Sequence, residues 1–369
     1  MITIKNVQML DGEVTDHTLA SSEDHVIDAG GRFTVFPALI DSHISFGPTN
    51  AENWKVAVNS AVRGGVTTAL EIPTKLNLCE TKKTLEEKIQ VVHKALIDID
   101  MPFFRCFYYA TPDLNNIKEI GFSKKSMEGL VIQLDADQKE ILNDDWEKVF
   151  QIAAWEDIPI VINAHNENAY ADKSFLEKAI ALTEKQSVRL YVLNVSTHEE
   201  LSLIQAAKER ALLVYSETTT EHLFPADGST PHHLWEALNN GRIDTIGSGY
   251  IADSQKGPRI LFNGNFSASD PIFLLPQLLT AQRQGKISIE KVVRFTSSHV
   301  CDILEVTPSR DVVLVDMKTE CAIQKVKENH SSNLKLVGWP VCTIMDGHIF
   351  TPPQQGYQMV HQTAPTIKL

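Results

Sequence analysis

The feature that most constrains this chain is the alternation, between residues 36 and 304, of short apolar runs with longer stretches of helical periodicity. The runs are rich in Val, Ile and Leu, which is typical of parallel strands buried on both faces. Eight strands alternating with helices predict an α/β fold, and either a closed barrel or a doubly wound sheet fits the pattern. The runs cover residues 38–40, 67–72, 103–109, 129–134, 158–163, 190–193, 211–215 and 245–248.

Helical stretches lie between these runs, with apolar residues at the spacing of one helix face. The stretch from residue 197 has a favourable helix N-terminus. Ser196 or Thr197 can cap it, and the negative charges of Glu199 and Glu200 interact favourably with the positive end of the helix dipole. In a barrel the active-site residues gather at the carboxyl ends of the strands, so the polar residues that end the runs are the candidates. The helical stretches are residues 51–63, 84–97, 146–155, 172–184 and 197–210.

The two ends of the chain differ from its middle, because both read as short strands joined by turns. The turn signals include Asp11-Gly12 near the start and Asp346-Gly347 near the end. Neither end has enough residues for a core of its own, so we predict one small β-sandwich built from both termini. The predicted division is residues 1–35 and 305–353 for the sandwich, 36–304 for the barrel and 354–369 for a loosely ordered tail.

Composition excludes some classes of partner. The formal net charge of −13 argues against nucleic acid and anionic membranes, and no apolar run is long enough to cross a bilayer. The first residues lack the basic and apolar regions of a secretory signal. Five scattered cysteines without a C-x-x-C pair indicate free thiols, so we expect a cytoplasmic protein.

Several short sequence motifs, which occur in the same order along nearly the whole chain, resemble those of the dihydroorotase and hydantoinase branch of the amidohydrolase superfamily. Residues 35–43, VFPALIDSH, resemble the first-strand phrase P-G-x-I-D-x-H-x-H. Residues 163–168 resemble H-A-E-N after strand five, and residues 192–197 resemble H-V-S-T after strand six. Residues 214–223, 244–248 and 336–347 resemble the stretches around strands seven and eight and the closing strands. The resemblance implies a (β/α)8 barrel of the TIM type.

The resemblance also implies a metal centre of four histidines, a carboxylated lysine or aspartate, and a last aspartate, which activates water for attack on a cyclic amide. Two of these ligands remain, His43 and His165. The other ligand positions hold residues that bind divalent metals poorly or not at all, and the family's substrate-binding arginine and asparagine are also replaced. The replaced ligand positions are Ser45, Gln133, Asn194 and Gly249, and the substrate positions fall on Gly47 and Thr74.

Other residues offer alternatives to a lost metal centre. Tyr250 is a candidate to fill the space the metals would use, and Asp253 follows it where the family has histidine. We expect His198 to be exposed at a helix start and the pair His232-His233 to lie on a surface loop, since adjacent side chains on a helix diverge by about 100°. Acidic residues near strand ends are candidates for a rebuilt site, namely Glu71, Asp135, Asp137, Glu167 and Glu217.

Three functions follow from this pattern. The first is a catalytically inactive protein without a cofactor, acting in its own homodimer or with a partner transcarbamoylase, as inert members of the resembled group do in pyrimidine synthesis. The second is a cyclic-amide hydrolase that holds zinc or another divalent ion weakly through His43 and His165. The third is a binding module whose barrel keeps a small-ligand pocket without chemistry.

Overall fold

The computed structural model describes residues 1–47, 51–73, 78–112, 119, 126–133, 146–163, 173–225, 227–252, 269–327 and 330–351. The described strands are β1 (Ile2–Gln8), β2 (Val14–Leu19), β3 (His25–Asp28), β4 (Thr34–Pro37), β5 (Leu39–Ser45), β6 (Val66–Glu71), β7 (Arg105–Ala110), β8 (Gly129–Gln133), β9 (Ile160–Asn163), β10 (Leu190–Leu193), β11 (Val214–Thr219), β12 (Thr245–Gly247), β13 (Tyr250–Ile251), β14 (Val312–Asp316), β15 (Cys321–Lys327), β16 (His330–Leu336), β17 (Trp339–Met345) and β18 (His348–Phe350).

The helices alternate with the strands of the middle of the chain. A 3-10 helix (Pro271–Phe273) precedes α8 and a π-helical turn (Arg294–Ser298) precedes α10. No helix in the described ranges is both long enough and apolar enough to span a membrane. The helices are α1 (Ala51–Arg63), α2 (Lys82–Asp98), α3 (Trp146–Trp155), α4 (Lys173–Gln186), α5 (His198–Glu209), α6 (Thr220–Leu223), α7 (His232–Asn239), α8 (Leu274–Arg283), α9 (Ile289–Val293) and α10 (His299–Leu304).

Strands β5 to β12 are parallel and lie side by side in sequence order, and the short strand β13 closes the sheet against β5. β12 pairs with β11 and β13 pairs with β5, so the two short strands are halves of one eighth strand, interrupted at Ser248 and Gly249. The Gly249 amide donates to the carbonyl of His43 at 3.0 Å across this closure. The chain therefore folds as the predicted (β/α)8 barrel rather than as a doubly wound sheet.

Alternate residues of the barrel strands face two different cores, as the two-residue period of a strand requires. Leu70 and Tyr191 belong to the cluster inside the barrel, whereas Ala69 and Val192 belong to the cluster between the strands and the helices. The hydroxyls of Tyr109 and Tyr191 donate to the backbone and side chain of one strand residue, Ser42, at 3.3 and 3.1 Å. These bonds satisfy the buried phenols and tie three strands together beneath the mouth of the barrel.

Strands from both ends of the chain form one module, where the sequence analysis predicts a small β-sandwich. Its described strands form a seven-stranded mixed sheet in the order β18-β17-β14-β4-β1-β2, with β3 also on β1, and a separate antiparallel ribbon of β15 and β16. Arg105 of the barrel forms an ion pair with Asp311 at 2.8 Å, and Thr343 donates to the carbonyl of Val62 at 2.7 Å. These contacts attach the sheet to the barrel. The predicted tail, 354–369, lies outside the described residues.

Candidate functional site

The carboxyl ends of the barrel strands, which we call the barrel mouth, bring together three buried side chains of the described residues that can carry a charge. Asp41 and His43 come from β5, and Glu217 comes from β11. His43 is 2% exposed and the two carboxyl residues are fully buried. We call these three residues the mouth cluster. Asp41 could have been found from the sequence, because a residue two positions before His43 on a strand faces the same side.

The central contact of the mouth cluster joins the first-strand histidine to a carboxylate. His43 Nδ1 lies 3.1 Å from Glu217 Oε2, which also accepts the backbone amide of Asn194 at 3.1 Å. Gly247 makes room for this carboxylate, because a Cβ there would lie 2.4 Å from Glu217 Oε1. The Glu217 carboxylate therefore lies at the Nδ1 edge of the His43 ring. Its position is fixed by the amide that follows β10 and by the space left at Gly247 of β12.

The electrostatics of the contact favour the protonated form of His43. Burial disfavours the imidazolium form of His43, but the negative charge of Glu217, the hydrogen bond to it and the charge of Asp41 outweigh that effect. The pKa of His43 is therefore raised above its ordinary value. The contact with Glu217 uses Nδ1 and fixes the orientation of the ring, and Nε2 is the nitrogen that it does not use.

Asp41 holds the end of the eighth strand in place. Its Oδ1 accepts the backbone amides of His43 at 3.2 Å and of Ser248 at 3.0 Å. Burial raises the pKa of Asp41 to about 6, although the hydrogen bonds from Ser248 and His43 favour the carboxylate form. Asp41 thus links the two ends of the barrel sheet, at a free-energy cost when it is ionised.

The replaced ligand positions on the middle strands form their own hydrogen bonds. Asn194, at the position of the strand-six histidine, donates from Nδ2 to Oδ1 of Asn163 at 3.0 Å. Gln133 ends β8 in register with Asn163, so a neutral amide stands where the family has its carboxylated lysine. Ser45 is buried, and its backbone carbonyl accepts the amide of Ala252 at 2.9 Å. These neutral oxygen groups are poor ligands for zinc.

The position of the last aspartate is closed to any side chain. Gly249 has φ +68°, which a residue with a Cβ adopts only with strain, and a Cβ there would lie 2.8 Å from the Thr219 methyl group. Gly47, where the resembled family has its arginine, is similar: φ is +74° and a Cβ would lie 3.0 Å from the Cβ of Ala252. The backbone and the neighbouring side chains at both positions therefore favour glycine.

Two expectations about side chains at the barrel mouth are wrong. Glu71 does not face the barrel mouth, because it lies on the face of β6 that packs against the helices and forms a buried ion pair with Lys88 of α2. Tyr250 does not fill the metal space, because it pairs with Ile44 and packs in the same outer cluster, opposite to His43. The two-residue period of the strand explains both corrections.

The remaining histidines lie at one side of the mouth. His232 and His233 begin helix α7 instead of forming a loop, and the ring of His233 stacks on His198 with centroids 4.3 Å apart. His233 Nε2 also lies 2.8 Å from the carbonyl of Ser196. His198 is exposed, as expected, whereas His233 is half-buried.

Several candidates lie outside the described residues, namely Thr74, Asp135, Asp137, His165, Glu167 and Asp253.

The described mouth does not fit the metal centre that the fold family implies. Within the described ranges, no three His, Cys, Asp or Glu side chains are arranged to hold a metal ion. His43 Nδ1 faces a carboxylate, and the other described ligand positions offer a hydroxyl, neutral amides or no side chain. A divalent ion needs three or four donors that leave one position open for water. Glu217 Oε2 instead contacts His43, while Asp41 Oδ2, Ser45 Oγ and Glu217 Oε1 are buried without a hydrogen-bond partner among the described residues.

Comparison with known proteins shows similarity along almost the entire chain, although no family model matches it. The chain is 22% identical to an L-hydantoinase of Paenarthrobacter aurescens over 98% of this chain and 93% of that protein. It is also 22% identical to a dihydroorotase of Methanosphaera stadtmanae over 88% and 87% of the two chains.

Solved structures share the fold. The L-hydantoinase from Arthrobacter aurescens superposes with a TM-score of 0.73 at 19% identity, covering 100% of this chain and 99% of that one. The inactive dihydroorotase-like domain of the Chaetomium thermophilum CAD-like multifunctional protein superposes with a TM-score of 0.65 at 17% identity, covering 86% of this chain and 94% of that one.

Proposed function

The chain is a dihydroorotase- and hydantoinase-like barrel of the amidohydrolase type, and from this premise we propose that it is catalytically inactive and acts in assembly. The observation that carries the proposal is the set of residues at the described ligand positions, where Ser45, Gln133 and Asn194 are neutral and Gly249 leaves little space for a side chain. Hydrolysis of a cyclic amide near neutral pH needs an activated water, and these positions offer few donors to hold the ion that would activate it.

The relatives support an assembly role from a different direction. One structure with the same fold is described as an inactive dihydroorotase-like domain within a multifunctional protein. A barrel of this fold can thus be retained without its activity. We propose that this chain likewise contributes contacts, in a homodimer or with a transcarbamoylase-type partner linked to pyrimidine metabolism.

A turnover assay tests the inactive state. We expect no hydrolysis of dihydroorotate or hydantoin by the full chain, with or without added zinc, manganese or cobalt, because the described mouth lacks a site to hold the ion. Turnover that is lost in both His43→Ala and His165→Ala would instead establish a metal-dependent hydrolase. Parallel assays of a dihydroorotase that retains all its ligands show whether the conditions support catalysis.

A separate experiment tests assembly. Sedimentation velocity of the full chain alone, and mixed with the transcarbamoylase from the same source, reports both self-association and complex formation. We expect a stable dimer or a complex with the transcarbamoylase. A monomer that does not bind the transcarbamoylase, together with unchanged pyrimidine synthesis after deletion of the gene, would contradict the assembly role.

A further inference from the structure

A cleft of about 280 Å³ lies where the barrel meets the terminal sheet, between the end of α1 and strands β17 and β18. Arg63, in its lining, ends α1 just before β6 begins. The cleft therefore lies at the amino ends of the barrel strands, opposite to the barrel mouth. It is separate from the candidate site described above.

The charge in this cleft has no partner within the described part of the chain. No carboxylate there lies within 4.0 Å of the half-buried Arg63 guanidinium. Other arginines of the described ranges do form ion pairs, among them Arg32, Arg105, Arg189, Arg210 and Arg242. Residues 352–369, which follow the cleft residue Thr351, contain no Asp or Glu. In a chain with net charge −13, an unpaired cation in a concave site is unusual.

The lining combines polar and apolar side chains. Met101, Pro340, Ile349 and Phe350 line the cleft together with Arg63. On the polar side, Asn59 donates from Nδ2 to a carbonyl of its own helix at 2.7 Å, which leaves its side-chain oxygen as an acceptor. A few polar groups within an apolar lining are the usual composition of a small-molecule site.

We propose that this cleft binds a small carboxylate that carries an apolar ring or branched chain. The carboxylate pairs with Arg63, whose planar group matches it with two parallel hydrogen bonds, and the apolar body packs against Ile349 and Phe350. A dry cavity of about 150 Å³ accommodates benzene, so a cleft of about 280 Å³ has room for one ring with a carboxylate. This inference is independent of the proposed function, because it uses none of the mouth residues.

Calorimetric titration of the full chain with phenylacetate and with phenylacetamide tests the proposal. The two compounds have the same shape and differ in charge, so the acid should bind the wild-type protein roughly tenfold or more tightly than the amide. Equal affinities, or no binding of either compound, would overturn the proposal. This comparison needs no variant and so does not depend on how a substitution affects folding.

Variants then locate the site. Arg63→Gln should weaken phenylacetate binding roughly tenfold while leaving phenylacetamide binding unchanged, and Arg63→Lys should keep part of the affinity. Lys55→Gln is the matched control, since it removes an exposed positive charge from the same helix and should change neither affinity. If Arg63→Gln and Lys55→Gln behave alike, the ligand is not held by Arg63 and the proposal fails.

Discussion

Replacing Asp41 by Asn should stabilise the protein in alkaline solution and have little effect in acid. Burial raises the pKa of Asp41 from its ordinary value of 3.8 to about 6. Each pKa unit corresponds to about 1.4 kcal/mol, so ionising Asp41 costs the folded state about 3 kcal/mol at pH 8. The asparagine carbonyl can still accept the backbone amides of His43 and Ser248, so the closure of the barrel is retained.

The direction of this pH dependence follows from the difference between the pKa values of Asp41 in the folded and unfolded states. The folded pKa lies above the unfolded one, so the folded protein binds the proton more tightly than the unfolded chain does. The free energy of unfolding therefore falls as the pH rises from about 4 through about 6, and the asparagine variant lacks this loss. Because the charge of Asp41 also raises the pKa of His43, part of the gain is offset. We expect a net stabilisation of about 2 kcal/mol at pH 8 and almost none near pH 4.

Urea unfolding at several pH values between 5 and 8 measures this difference. Asp28→Asn is the control of opposite sign, because a hydrogen bond from the Asn6 side chain and one from the Gly30 amide lower the pKa of the exposed Asp28. Its midpoint should not rise at pH 8. Destabilisation by Asp41→Asn that is the same at every pH would refute the argument, since it would mean that the carboxylate is needed for packing rather than tolerated at a cost.

The other predictions concern the mouth and the helical layer. Glu217→Gln should lower the pKa of His43, because burial is then opposed by the charge of Asp41 alone. An NMR titration of the histidine ring would show this, and an unchanged pKa would contradict it. In the wild-type protein, the contact between His43 and Glu217 contributes stability below the pKa of histidine in the unfolded chain. This contribution is lost as the pH rises through the higher pKa of His43 in the folded state. Gly249→Asp should lower the free energy of unfolding by about 2–4 kcal/mol, because of backbone strain and the clash with the Thr219 methyl group. Gly241→Asp is the control, since its backbone strain is similar but the space around it is open, and it should cost only about 1–2 kcal/mol. Urea unfolding measures both values. Lys88→Met should lower the free energy of unfolding by about 3–5 kcal/mol, because it breaks a buried ion pair by removing the cation. Recovery in the double variant with Glu71→Gln would identify that cause, and a loss no larger than for a surface lysine would exclude it.

Much of the fold follows from the sequence because it depends on periodicity and on local chemistry. The predicted helix from residue 197 is observed as α5, with Thr197 capping it and Glu200 completing the capping box. Buried strands such as β10 match their apolar runs closely. Closure of the barrel was not accessible from the pattern, because it depends on the short strand β13 pairing with β5 far away in the chain.

The sequence was less informative for features that are determined by strand pairing or by tertiary packing. The ribbon of β15 and β16 was not predicted, since its residues are mostly polar and carry no strong alternation. The replaced ligand positions could be identified by the resemblance, but not the hydrogen bonds that replace the ligands. The contact between His43 and Glu217 joins residues on two strands of the barrel, and only the folded structure shows that their side chains meet.

Metal content tests the central claim most directly. Elemental analysis of the full chain, purified without chelator and without added metal, should give zinc, manganese, iron and cobalt each far below one equivalent per chain. The same analysis after dialysis against zinc, followed by removal of free ion, should give a similarly low value. Near-stoichiometric metal that is lost in the His43→Ala variant would contradict the account, because it would mean that the mouth holds an ion despite its replaced ligand positions.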